Sequence, residues 1–300
     1  MHIKKITLLF FFLLAIQTGY LFAQDDLLNE LDDYSNEETT EKSNKNKKSQ
    51  NKFELPAFKT LKIGNLQSTK IGDKGELYLI VSHRFGPLKD GFDTFLGLDQ
   101  ANTKIELLYS FWEGTQFSLS RESFEKTVAL AVKSRFTKQS ETFPFNLVGY
   151  ATANINTELS NSRFSNYTLQ DGDRMSYAVQ LLASHRFSKR FSFEFAPTYV
   201  RENLQILEET GAANHNQFAM GFGGRLKLSK RVSLNAEYVH NFSRDENSIF
   251  YNPYTFGVDI ETGGHVFQLL FTNAQSSNEP GYISNAGGDI AFGFNIVRVF

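Results

Sequence analysis

From Gly75 onward, apolar and polar residues alternate with period two in one segment after another. In Asn216–Leu228, Phe218, Met220, Phe222, Leu226 and Leu228 oppose Ala219, Gly221, Gly223, Arg225 and Lys227. At the end of the chain, Ile290, Phe292, Phe294, Ile296 and Phe300 alternate with Asp289, Ala291, Gly293 and Asn295. Successive side chains of a strand point to opposite faces, so this pattern predicts strands with one apolar side. Twelve are expected: Glu76–Phe85, Asn102–Phe111, Thr115–Arg121, Lys126–Thr137, Pro144–Asn156, Met175–Phe187, Phe191–Glu202, Asn216–Leu228, Arg231–Phe242, Asn252–Ile260, Gly264–Thr272 and Ala286–Phe300. Their lengths suit tilted strands crossing a bilayer.

The connections carry separate information. Counted back from Phe300 they alternate between long segments rich in Asn, Ser, Asp and Gly and tight turns such as Glu261-Thr262-Gly263 and Ser188-Lys189-Arg190. Only Glu122–Glu125 is a short connection on the long side. Long loops on one rim and short turns on the other predict a closed antiparallel transmembrane β-barrel of the outer membrane, turns and both termini periplasmic. The fold class expected for residues 75–300 is therefore all-β.

The apolar face suits lipid, because the other face holds too many charges for a dry core. On that assignment Glu76, Arg84, Lys104, Glu106, Lys133, Arg135, Arg186, Glu194, Glu202, Arg225, Lys227, Glu237 and Asp289 line the lumen. Their signs nearly balance, which favours a lattice bracing the barrel over a single-sign selective pore.

The first residues read as a cleaved signal peptide. Lys4 and Lys5 precede the apolar run Ile6–Ile16, and a small residue, Ala23, suits cleavage (residues 1–23). The mature chain then has 29 basic against 33 acidic side chains, a formal charge of −4, which gives no electrostatic case for nucleic acid. Residues 24–52 are polar with segregated charge, the composition of a disordered tail. Leu27, Leu28 and Leu31 are spaced for one face of a short helix, which would suit docking to a periplasmic protein. Residues 53–74 have moderate apolar content and read as a lead-in or plug that folds into the barrel mouth or packs beneath it. There is no Cys, which excludes disulfides and thiol chemistry.

Leu79-Ile80-Val81-Ser82-His83-Arg84-Phe85-Gly86, Phe95-Leu96-Gly97-Leu98-Asp99 and Gly257-Val258-Asp259-Ile260-Glu261-Thr262-Gly263-Gly264-His265 together resemble the Bacteroidetes-type outer-membrane β-barrel family of unknown function, domain of unknown function 5777. The resemblance runs from about Phe58 to Phe300. It implies an outer-membrane barrel and no established activity, and it supplies no catalytic or binding residues. The terminal aromatic Phe300 also resembles the insertion signal that such barrels present to the outer-membrane assembly machinery.

Catalytic and metal chemistry find little support. Ser82 and His83 are adjacent, as are Ser184 and His185, so each pair points to opposite faces. His83, His185, His240 and His265 suit the aromatic belts at the headgroups. Asp259, Glu261 and His265 flank one turn without a full ligand set, and no cofactor is expected. Phe222-Gly223-Gly224 lies inside a strand with no helix after it, so it is no phosphate loop; its glycines are expected to relieve crowding in the wall. The leading expectation is a passive small-solute channel or a membrane scaffold in contact with the bilayer. A lipid-acting enzyme, or an anchor that recruits a periplasmic protein through residues 24–52, is the alternative.

Overall fold

The computed structural model describes residues 57–163, 168–204 and 215–300, so the expected signal, the tail and residues 53–56 lie outside the described residues. Twelve strands form: β1 (Leu77–Pro87), β2 (Ala101–Trp112), β3 (Thr115–Glu122), β4 (Thr127–Thr137), β5 (Asn146–Asn156), β6 (Met175–Arg186), β7 (Phe191–Glu202), β8 (Asn216–Lys227), β9 (Val232–Asn241), β10 (Tyr254–Thr262), β11 (His265–Thr272) and β12 (Ala291–Val299). Each pairs antiparallel with its neighbours in sequence, and β1 closes the ring on β12 from Tyr78↔Val299 to Pro87↔Ala291. Closure leaves no edge with unpaired backbone groups, the condition for a sheet in lipid.

The period-two pattern becomes the two surfaces of the wall. Ile105, Leu107, Phe117, Leu119, Leu130, Phe218 and Phe256 stay exposed on the outside, while Ser82, Glu106, Ser120, Gln180, Glu194 and Asn295 are buried within. Both rims carry aromatic clusters that include the histidines. His83 stacks on Phe294 and His265 on Phe267, and His185 and His240 meet Phe187 and Phe242 edge to face.

Two local departures have physical causes. Pairing between β6 and β7 lapses between Gln180↔Thr198 and Ala183↔Phe195, where Pro197 brings no N–H to the ladder. The final strand begins at Ala291 rather than Ala286, because residues 273–286 fold inward instead of extending the wall. Asn278 leads into the short helix α1 (Glu279–Ser284), with Pro280 in its first turn, where a missing N–H is tolerated.

A charge placed on the lipid face tests the assignment of sides. Leu130→Arg, in mid-strand and facing out, is expected to lower stability by about 2–4 kcal/mol, and Phe136→Arg near the rim by about 0–1. Urea titration of refolding into lipid vesicles measures both.

Candidate functional site: an occupied lumen

A twelve-stranded barrel encloses more space than its own side chains fill. Here residues 57–72 enter at the tight-turn rim, where Lys59 pairs with Glu261, and climb inside the wall. They reverse at Gly64-Asn65, with Ile63 N–H donating to the Leu66 carbonyl (2.8 Å) and Ser68 N–H to that of Leu61 (3.0 Å). Descending past β6 and β7, they leave through the exposed Asp73-Lys74-Gly75 turn into β1. Phe58, Leu61, Ile63 and Leu66 are each at most 1% exposed, and burying such a side chain is worth about 1.5–3 kcal/mol before its ordering cost is subtracted.

A short hairpin buried in a barrel cannot satisfy its own backbone, so the wall does. Glu237 accepts the N–H groups of both Asn65 and Leu66, at 2.7 and 3.0 Å. Glu194 accepts that of Thr69 at 2.9 Å and Gln116 that of Gly72 at 3.0 Å. The carbonyls go to donors: Lys133 Nζ to Leu61 (3.0 Å) and Lys70 (3.3 Å), Gln268 Nε2 to Ile63 (2.9 Å), Asn295 Nδ2 to Gly64 (2.9 Å). The Asn65 side chain is read as well: Arg84 Nη2 donates to its Oδ1 at 2.7 Å, and its amide donates to Thr255 and Thr272.

Shape complements charge. A Cβ on Gly223 would stand 2.2 Å from Ile63 Cδ1, and one on Gly221 would stand 3.0 Å from Leu66 Cδ1. These glycines therefore open two slots in β8 for the apolar side chains that flank the turn. Behind them lies an apolar sector of the inner wall, Val148, Tyr150, Leu182, Ala196, Val200 and Val239, packed against Phe58, Ile63, Leu66 and α1.

The other rim is closed by residues 273–286. Glu122 holds this segment through Ser276 Oγ, Ser277 N–H and Asn278 Nδ2, at 2.9, 2.5 and 2.5 Å. Arg244 donates to the carbonyls of Ile283 and Ser284 at its far end. The two fillings meet inside. Gln67 Nε2 donates to Glu279 at 2.8 Å, Tyr150 donates to the same carboxylate at 3.0 Å, and Lys62 Nζ donates to the Ser277 carbonyl at 3.1 Å. Lys62 also lies 3.8 Å from Glu106, which pairs with Lys104 at 3.4 Å. Burial holds the Lys62 ammonium below the usual lysine pKa range, and the positive Lys104 adds to this.

The residues read from the sequence as lumen-lining thus separate into groups. Arg84, Lys104, Glu106, Lys133, Glu194, Arg225 and Glu237 are buried inside the barrel. Glu76, Arg135, Arg186 and Lys227 sit at the tight-turn rim: Glu76 accepts from Asp73 N–H and the Tyr78 hydroxyl, Arg135 reaches Glu113, and Arg186 donates to the carbonyls of Ser188 and Lys189. Glu202 is at the other end of β7, receiving Gln217. Asp289 precedes β12 at the long-loop rim and pairs with Lys89 at 2.5 Å, partly exposed rather than buried in the lumen.

Sequence reasoning did not single out the buried Gln116, Gln268 and Asn295, which alternation places inward but which carry no charge, nor the buried Glu122 and Glu279, which fall in segments it read as connections. It also missed the inward apolar residues of β5–β9. Their signal was present as interruptions of the polar face, Val148, Leu182, Val200 and Val239. Ser82 is buried inside, while His83 faces out and bonds Thr103 at 2.8 Å. Asp259, Glu261 and His265 go to three different partners: Gln268, Lys59 and Arg298.

Residues 58–300 match the model of a membrane bound beta barrel domain, DUF5777. The chain belongs to this family. The match begins at Phe58, at the foot of the hairpin, so the inserted segment is part of the family's domain rather than an appended tail. No curated protein matches the chain by sequence. Among solved structures, the NanC porin is similar at 9% identity over 74% of this chain and 98% of that chain, with a TM-score of 0.48. The KdgM porin is similar at 6% identity over 75% and 99%, TM-score 0.46. The outer membrane protein Omp33 of Acinetobacter baumannii is similar at 11% identity over 77% and 100%, TM-score 0.43. This member of the family is a membrane-bound β-barrel protein whose lumen, in the state described, is filled from both rims.

A larger side chain in the slot should unseat the hairpin. Gly223→Val is expected to raise maleimide labelling of a single thiol introduced as Ser68→Cys, which is buried in the parent barrel. The chain's lack of Cys makes that label specific. Glu237→Ala removes the acceptor of two buried N–H groups and is expected to cost about 1–3 kcal/mol for each donor left unpaired, read from the shift in the urea midpoint.

Proposed function

We propose that the protein is a passive small-solute channel of the outer membrane, held closed by its own hairpin and by the inward-folded segment 273–286. One observation carries the reading. The charged and amide side chains of the inner wall bond the hairpin and the inward-folded segment more than one another: Glu237, Glu194, Gln116 and Lys133 bond backbone groups of residues 61–72, and Glu122 accepts from the Ser277 N–H and from the side chains of Ser276 and Asn278. When the fillings leave, those side chains line a polar path along the barrel axis, and a passive pore needs little more.

The sign balance persists without the hairpin. Arg84, Lys104, Lys133 and Arg225 remain on the wall with Glu106, Glu122, Glu194, Glu237 and Asp259. Selection therefore rests on width and hydrogen bonding rather than on net charge. By the rule for such barrels the tight-turn rim faces the periplasm, so the hairpin is withdrawn to that side and residues 273–286 to the exterior. Phe300 follows β12 with its N–H on the Leu77 carbonyl at 2.9 Å and its ring exposed. It stands at the seam where the barrel closes, which suits a role in engaging the assembly machinery during insertion.

Single-channel recording in planar bilayers tests this reading. The parent protein is expected to be closed for most of the record, with brief conductance steps. Glu237→Ala and Glu122→Ala should each raise the open fraction, roughly tenfold for every 1.4 kcal/mol by which the hold on the filling is weakened. A silent record for the parent and both variants, from protein that is folded and inserted, would reject a channel in favour of a membrane scaffold.

A further inference from the structure

We infer that the lumen is a polypeptide-binding site, occupied here by the chain's own residues 57–72, and that the solute class admitted once the hairpin leaves is a short peptide. The inference names the substrate class of the lumen just described and rests on the channel reading for how a peptide reaches the site.

The wall recognises main chain. Acceptors meet backbone N–H groups: Glu237 at Asn65 and Leu66, Glu194 at Thr69, Gln116 at Gly72. Donors meet backbone carbonyls: Lys133 at Leu61 and Lys70, Gln268 at Ile63, Asn295 at Gly64. These contacts come from β3, β4, β7, β9, β11 and β12, half of the strands, and they read peptide groups that every polypeptide carries. A wall selecting sugars or simple ions has no reason to set acceptors against the N–H groups of Asn65, Leu66, Thr69 and Gly72 and donors against the carbonyls of Leu61, Ile63, Gly64 and Lys70 of one main chain.

Sequence preference is built separately. The slots at Gly221 and Gly223 take one branched apolar side chain each, two residues apart on β8, and face the turn between Ile63 and Leu66. Arg84, Thr255 and Thr272, on β1, β10 and β11, bond the carboxamide of Asn65, which lies in the chain between Ile63 and Leu66. The preferred ligand is thus an apolar–Gly–Asn–apolar turn with extended flanks. Within itself the segment forms one isolated bridge, Lys62↔Gln67, and hydroxyl bonds from Thr60 and Ser68; the wall meets most of its remaining bonded peptide groups, as a receptor meets a ligand's.

The test severs the covalent link while keeping the folded protein. A protease site placed between Lys74 and Gly75, in the exposed turn, is cut after the full chain has folded. The fragment ending at Lys74 should stay with the barrel through gel filtration in detergent. It should exchange for a fluorescent synthetic peptide of residues 57–72, read as a rise in anisotropy, and not for a scrambled peptide of the same composition. Glu237→Gln, which keeps the shape and removes the charge, is expected to weaken the peptide roughly tenfold, about 1.4 kcal/mol. Immediate loss of the fragment, failure to exchange, or equal binding of the scrambled peptide would overturn the inference. Conductance of the cleaved barrel is recorded in parallel. Conductance that the 57–72 peptide neither blocks nor binds leaves the channel and removes the peptide site. Specific binding in a barrel that never conducts keeps the site and removes the channel.

Discussion

Everything inside this barrel follows from one constraint: a buried peptide group must be hydrogen-bonded, and residues 61–72 run through the interior without a strand beside them. The sheet can satisfy only its own ladder. The hairpin is therefore served by side chains, and each buried carboxylate or ammonium on the wall that serves it finds its counterpart in a main-chain dipole of the filling. Glu237 is the clearest case. Its two oxygens take two successive N–H groups at the turn, which holds the tip and compensates the carboxylate for lost water at once.

The same constraint explains why the interior divides into sectors. Where the hairpin presents backbone, towards β3, β4, β7, β9, β11 and β12, the wall answers with Gln116, Lys133, Glu194, Glu237, Gln268 and Asn295. Where it and α1 present side chains, towards β5–β9, the wall answers with Val148, Leu182, Ala196, Val200 and Val239, or with no side chain at all at Gly221 and Gly223. Glu279 joins the fillings: one carboxylate takes Gln67 of the hairpin and Tyr150 of the wall, so the closure of each rim bears on the other. A segment that enters from one side and a loop that folds in from the other are thereby coupled through a pair of contacts at the centre.

The strands, their order and their two faces were legible in the chain. Alternation of Phe, Leu and Ile with small and polar residues fixes which side of each strand meets lipid, since a one-residue slip would bury every charge in the bilayer. Alternating loop lengths state the antiparallel ring. The glycines of β8 were visible too, and were read as relief of crowding. The crowding they relieve is that of Ile63 and Leu66, residues more than 150 positions away in the chain.

The amino-acid sequence by itself thus determined the wall: period, strand count, the apolar outer band and the inward side of Arg84, Lys104, Glu106, Lys133, Glu194, Arg225 and Glu237. Only the tertiary structure decided what those charges do. Periodicity is a local property and survives inspection one segment at a time, whereas the partner of Glu194 is Thr69, of Glu122 the 276–278 segment, and of Lys133 the carbonyls of Leu61 and Lys70. Those pairings need the closed ring to bring distant strands around a common axis. Near-equal numbers of acids and bases foretell that the interior can be neutral, but whether it braces itself, conducts water or holds a folded segment depends on which backbone is placed between them.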